Sequence, residues 1–204
     1  MNRHFISTRL VGLIGAIAFG AGVLTSTPAH ADTCAANTAC STTTTFDVTA
    51  GVLDITVPDT ADLANDAAPG ENAYGQLGAI TVNDERASAT PTWTASVDMT
   101  GTTGFTTAGG DGAGEVIPET SVYYFSGDAT ATTGDGTFTA GQPGTFTEPP
   151  TTPQGQTLAA SRTAYGHTGG TGNNSATWNP YITAALALSN VSGQYTGTIA
   201  HTVV

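Results

Sequence analysis

The stretch Thr92-Trp93-Thr94-Ala95-Ser96-Val97-Asp98-Met99-Thr100 alternates with a period of two. Trp93, Ala95, Val97 and Met99 fall on one side, and Thr92, Thr94, Ser96, Asp98 and Thr100 on the other. Successive side chains of a strand point to opposite faces. The pattern therefore predicts an antiparallel strand with one face in a core and the other toward water.

The same period recurs on both sides of it. Upstream, Phe46 and Val48 alternate with Asp47 and Thr49, and Gly51 reads as a bulge or bend. Leu53, Ile55 and Val57 continue the pattern until Pro58 ends it. Asp59 to Gly75 reads as a long polar connection, followed by a strand carrying Leu77, Ile80 and Val82. Downstream, Phe105 follows a Gly-Thr-Thr-Gly turn, residues 109–114 form a glycine loop, and Val116-Ile117-Pro118 leads to a strand at Val122 to Phe125.

Residues 128–144 carry turn signals around short Thr/Phe pieces. Glu148 to Pro153 reads as an extended loop, because Pro149, Pro150 and Pro153 remove three ladder donors. Thr157 to Tyr165 predicts one more strand, and Gly166 to Ser175 a glycine and asparagine loop. Ile182, Ala184, Leu186 and Leu188 line one face of a strand starting near Trp178. After a turn at residues 190–193, Tyr195 to Val203 closes the pattern. No helical stripe follows Ala31. The expected fold is all-β: a single antiparallel β-sandwich, Greek-key or jelly-roll-like, with long Gly/Thr/Pro-rich loops, over residues 46–204.

The first 31 residues read differently. Arg3, His4 and Arg9 precede an uncharged apolar run from Leu10 to Leu24, and Ala29-His30-Ala31 supplies a small-x-small cleavage pattern. This is the layout of a secretory signal peptide cleaved after Ala31, and the run is short of the roughly 20 residues a spanning helix needs. A secreted or extracellular protein without membrane insertion after cleavage is expected. Cys34 lies just past the site, but Asp32 and Thr33 stand where lipidation wants small or aliphatic residues. Residues 32–45 read as a flexible leader. In an oxidising compartment Cys34 and Cys40, the only cysteines, are expected to form a disulfide closing a short loop. Their C-x5-C spacing is not that of a redox-active pair.

The chain has 4 basic and 16 acidic residues, and no lysine. Loss of Arg3 and Arg9 with the leader leaves two arginines against 16 acids, a formal charge of −14. Phosphate binding needs a basic footprint, so nucleic acid is not an expected partner. The acidic surface reads first as a solubility device.

Few residues point to chemistry. No Gly-x-Ser-x-Gly is present, and Ser-x-x-Lys is impossible without lysine. The acids sit in turns, as Asp-Gly and Asn-Asp pairs commonly do. Asp59, Asp62 and Asp66 share one loop, but their spacing is not that of an EF-hand. His167 and His201 lie 34 positions apart without zinc-ligand spacing. No catalytic residue, metal or cofactor is expected. Trp178 and Tyr181, at a strand entrance, and Trp93 are the candidate ligand-binding residues, since an aromatic ring can stack on a sugar face. Each has packing as its competing reading, and Trp93 shares a face with Ala95, Val97 and Met99.

In order, the chain shows a strand ending Ile55-Thr56-Val57-Pro58, then Gln76-Leu77-Gly78-Ala79-Ile80-Thr81-Val82-Asn83-Asp84, the Trp93 strand, Phe105, a glycine loop, and Tyr195-Thr196-Gly197-Thr198-Ile199. This order resembles the WxL-type surface domains of Gram-positive bacteria, in the divergent form seen in exported actinobacterial proteins. The name-giving residues are altered. Trp93-Thr94-Ala95 stands where the family has Trp-x-Leu, and His201 and Val203 stand where it has a second Trp and Leu. The resemblance implies a non-enzymatic cell-surface protein held non-covalently on the wall, with peptidoglycan or another wall polymer, and possibly surface proteins, as partners. A secreted or surface structural subunit that assembles through β edges is the alternative.

Overall fold

The computed structural model describes residues 33–63, 65–99 and 103–204. The leader at 1–31 and its cleavage after Ala31 lie outside the described residues. The chain divides into two compact units, residues 1–46 and 47–204. In the first, Cys34 and Cys40 are joined by a disulfide. A turn closes inside that loop, with Thr38 N–H donating to the Ala35 carbonyl at 3.0 Å.

The second unit is all-β and sandwich-like. Its strands are numbered here in chain order. Leu53–Thr56 (β1), Ile80–Ser88 (β3), Gly172–Trp178 (β12) and Ala131–Thr133 (β8) form one sheet, ordered β1-β3-β12-β8. Gln156–Thr157 (β10), Val122–Phe125 (β7), Tyr181–Ala185 (β13) and Asn72–Gln76 (β2) form a second, ordered β10-β7-β13-β2. Ala200–Val203 (β14), Thr92–Asp98 (β4), Arg162–Thr168 (β11) and Thr137–Ala140 (β9) form a third, ordered β14-β4-β11-β9. Phe105–Thr106 (β5) and Val116–Ile117 (β6) make a two-stranded ribbon. The strand pairs are antiparallel throughout.

The alternation that predicts β4 sets the core. Trp93, Ala95, Val97 and Met99 are all buried, joined by Ile80, Val82, Val122, Tyr124, Leu158, Ala176, Trp178 and Ile182. One polar network lies among them. Trp93 Nε1–H donates to Asn174 Oδ1 at 2.8 Å, and Asn174 Nδ2 donates to Asp84 Oδ2 at 3.5 Å. Arg86 grips the fully buried Asp84 with two bonds of 2.8 Å, and its Nη2 also donates to the Thr92 carbonyl at 2.9 Å. That guanidinium holds the Asp84 carboxyl below its usual range. Asp84→Ala is expected to cost about 2 kcal/mol, measured as a shift in urea midpoint. The loss stays below that of a wholly buried pair because the Arg86 side chain, 38% exposed, can return to water. The other arginine of this unit, Arg162, donates from Nε to the Thr157 carbonyl at 2.8 Å.

The structure departs from the expected strands in places with physical causes. Phe46 to Gly51 is not a strand. The ladder to β3 ends where Gly51 N–H meets the Glu85 carbonyl and Glu85 N–H meets Val52, because Ala87 turns to φ 51° and takes β3 away. The polar connection after Asp59 is shorter than expected, since β2 begins at Asn72. The loop expected at 166–175 shrinks to residues 169–171, its flanks belonging to β11 and β12, both central strands, and Thr157 belongs to β10 rather than to β11. β13 stops at Ala185, leaving Leu188 86% exposed, and the last strand is only Ala200–Val203.

Candidate functional site

β13 alternates its side chains across the second sheet. Ile182 and Ala184 enter the core with Tyr124 and Val122 of β7, their register partners. Tyr181 and Thr183 therefore lie on the opposite face, beside Phe125 and Tyr123 of β7 and Tyr74 of β2. An outer sheet face normally meets water with polar residues. This one carries half-buried aromatic rings.

A chain segment crosses that face. Phe146 stacks on Tyr181 with ring centroids 4.1 Å apart and planes 3° from parallel. Phe125 meets Phe146 edge-on at 5.7 Å, and Tyr74 lies 6.1 Å from it. The segment is tied down by Asn72 Nδ2, which donates to the Pro150 carbonyl at 3.1 Å. Gln154 closes it by bonding both the N–H and the carbonyl of Thr147. Underneath, Thr183 is fully buried. Glu148 lies against the Tyr181 hydroxyl. Its carboxylate accepts a hydrogen bond from the hydroxyl and, with burial, pushes the Tyr181 pKa up to about 12.

Beside these rings opens a cleft of about 400 Å³, lined by Asn65, Glu71, Asn72, Tyr74, Pro150 and Thr151. Asn65 also seals the edge of β2. Its Oδ1 accepts from Tyr74 N–H at 2.6 Å, and its Nδ2 donates to the Asn72 carbonyl at 3.2 Å. A side-chain amide thus takes the place of a neighbouring strand. The arrangement offers flat apolar rings flanked by amides, a hydroxyl and carboxylates. Those are the groups that hold a sugar, whose ring has apolar C–H faces and a hydroxyl-bearing rim.

Of the residues expected to bind a ligand, only Tyr181 lies on this face. Trp93 is 1% exposed, stacked on His167 at 5.9 Å and bonded to Asn174. Trp178 is fully buried, stacked on Tyr165 at 5.0 Å, and donates from Nε1 to the Tyr124 hydroxyl at 2.9 Å. Neither indole has a face open to a ligand, because both rings fill the space between sheets. Tyr74, Phe125 and Phe146 are site residues the sequence reading did not name. The signal that could have found Phe146 is an aromatic placed just before Glu148-Pro149-Pro150, in a segment read only as an extended loop.

The two histidines among the described residues pack within the fold. His167 is 1% exposed, and its Nε2–H donates to the Asp135 carbonyl at 3.0 Å. Gly136 makes this approach possible at φ 111°, since a Cβ there would collide with the imidazole. His201 of β14 sits over Tyr124 with ring centroids 5.7 Å apart, its Nε2 3.4 Å from the Tyr124 hydroxyl. Burial lowers its pKa to about 4. The two stretches compared with the Trp-x-Leu motifs lie on adjacent strands, with Val203 opposite Ala95. Among the described residues no three His, Cys, Asp or Glu gather as a metal site, Asp59, Asp62 and Asp66 included. Nor is any helix among them long and apolar enough to cross a membrane. No protein-family model, curated protein or solved structure matches the chain.

Proposed function

We propose that this is an exported, non-enzymatic surface protein that holds non-covalently to a wall polysaccharide such as peptidoglycan, through the aromatic face of the second sheet. The observation that carries the reading is the half-buried set Tyr74, Phe125, Phe146 and Tyr181, lying beside a cleft rich in amides. Polysaccharide recognition uses aromatic rings for stacking and a few placed polar groups for orientation. The leader-like residues 1–31 and the resemblance to WxL-type domains support the same reading. The formal charge of −14 beyond residue 31 disfavours wall polyanions as the contact and favours neutral glycan.

Sedimentation with purified wall sacculi tests it. The protein is expected to pellet with sacculi, and Phe146→Ala combined with Tyr181→Ala is expected to lower the bound fraction at least tenfold, since each lost stacking ring is worth about 1 kcal/mol. Salt is expected to change binding little. A double variant that remains folded and binds as well as the parent overturns the assignment of this face.

A further inference from the structure

A second cleft, of about 890 Å³, lies at the start of β2 and the end of β13. Leu63, Ala73, Phe105, Ile117, Ala184 and Leu186 give it an apolar floor. Two irregular stretches, Thr60–Leu63 and Ser192–Gln194, form its walls. Among the described residues, no main-chain hydrogen bond is made by either stretch. Their N–H and C=O groups are open to a third strand. A cleft with an apolar floor and unpaired main chain on its sides fits an extended peptide bearing apolar side chains at every second position.

The chain carries such a peptide just before β1. Phe46, Val48 and Val52 keep a period of two, with Ala50 between them, yet are 85%, 77% and 62% exposed. Phe46 to Ala50 makes no main-chain hydrogen bond among the described residues. Val48, at 77% exposure, is not seated in the cleft of its own molecule. Large apolar side chains seldom stand in water in register unless something covers them.

We infer that the Phe46–Ala50 segment of one molecule seats in the Leu186 cleft of a second copy. The segment is formally a continuation of β1, and its alternation gives it the side-chain spacing the floor requires. Donor and acceptor are different surfaces, so the contact is heterologous and builds chains or rings rather than a closed pair. The rim of the cleft holds Asp62 and Asp66, and the segment brings Asp47. Screening of these like charges by salt favours assembly, opposite to an electrostatically driven contact. The inference does not rest on the wall-binding reading, whose aromatic rings lie on the opposite face of β2 and β13.

Sedimentation velocity over a concentration series tests it. The protein is expected to form species larger than a dimer that grow with concentration and with salt. Phe46→Asp with Val48→Asp is expected to remain monomeric, with an unchanged melting curve because both side chains already stand in solvent. Leu186→Glu is expected to be monomeric as well. An equimolar mixture of the two variants retains one intact segment and one intact cleft, and is expected to give a 1:1 dimer and nothing larger. A parent protein that is monomeric at all concentrations overturns the inference. So do oligomers that survive in the segment variant, or a mixture of folded variants that stays monomeric.

Discussion

Trp178→Ala is expected to lower the free energy of unfolding by about 4 kcal/mol, within the range seen when a buried Trp or Phe is truncated. Trp178 has no exposed surface and packs its ring on Tyr165. It ends β12, opposite Ile80 of β3, and its Nε1–H satisfies the Tyr124 hydroxyl, so truncation removes volume and a hydrogen bond together. Tyr124 is itself fully buried, and loss of the donor leaves its oxygen in an apolar site. Trp178→Phe separates the two effects. It keeps most of the ring and is expected to cost about 1–2 kcal/mol, chiefly through the hydroxyl oxygen that loses its donor. Guanidinium titration followed by near-ultraviolet circular dichroism measures both. Equal losses for the two variants contradict this division of the energy.

Acidification from pH 6.5 to 4 is expected to remove up to roughly 3 kcal/mol through His201 alone, at 1.36 kcal/mol per unit of pKa. Burial lowers the folded pKa of His201 from 6.5 to about 4, and nearby Asp98 offsets this only partly. The folded state therefore favours neutral imidazole, while the unfolded chain takes up a proton near pH 6.5. The unfolded state binds more protons in this window, so stability rises with pH across it and is fully present above pH 6.5. Nε2 faces the Tyr124 hydroxyl, which donates to the neutral ring and has no acceptor in the imidazolium. His201→Phe is expected to flatten the stability curve between pH 4 and 6.5. Below that window Asp84 takes over. Its carboxyl pKa is depressed by Arg86, so its contribution is present above its ordinary range and disappears as pH falls through the lowered value. An unchanged slope in His201→Phe assigns the acid sensitivity elsewhere.

The all-β class was legible because single strands carry their own evidence. β4 shows its buried face in four residues, and β7 and β13 do so nearly as well. What the sequence does not display is pairing. The end of β11 and the start of β12 read as a loop because glycine and asparagine dominate residues 166–175, yet the two strands are central in two different sheets. There, Asn174 is needed as the partner of Trp93 and Asp84, so a residue type that signals a turn serves the interior. The Phe46 to Val48 alternation is as regular as that of β4 but gains no partner strand. A period of two establishes that a segment can form a strand, and only long-range geometry decides whether it does. The candidate face was half legible for the same reason. Tyr181 stands out at a strand entrance, whereas Phe146 matters only because a loop carries it across the sheet to stack there.

Both arginines beyond residue 31 are engaged in the fold, Arg86 in its paired hydrogen bonds to Asp84 and Arg162 on the Thr157 carbonyl. With no lysine in the chain, these are also the only bonds a trypsin-like protease could attack beyond the leader. The Arg162–Thr163 bond lies in β11, paired along β4, and cannot enter a protease cleft without local unfolding, whereas Arg86 precedes the turn at Ala87, where the ladder to β1 has ended. Tryptic nicking after Arg162 thus reports the opening of β11 rather than surface exposure. Amine-directed labels find no side chain to react with, which leaves the exposed acids as the handles for coupling it to a surface.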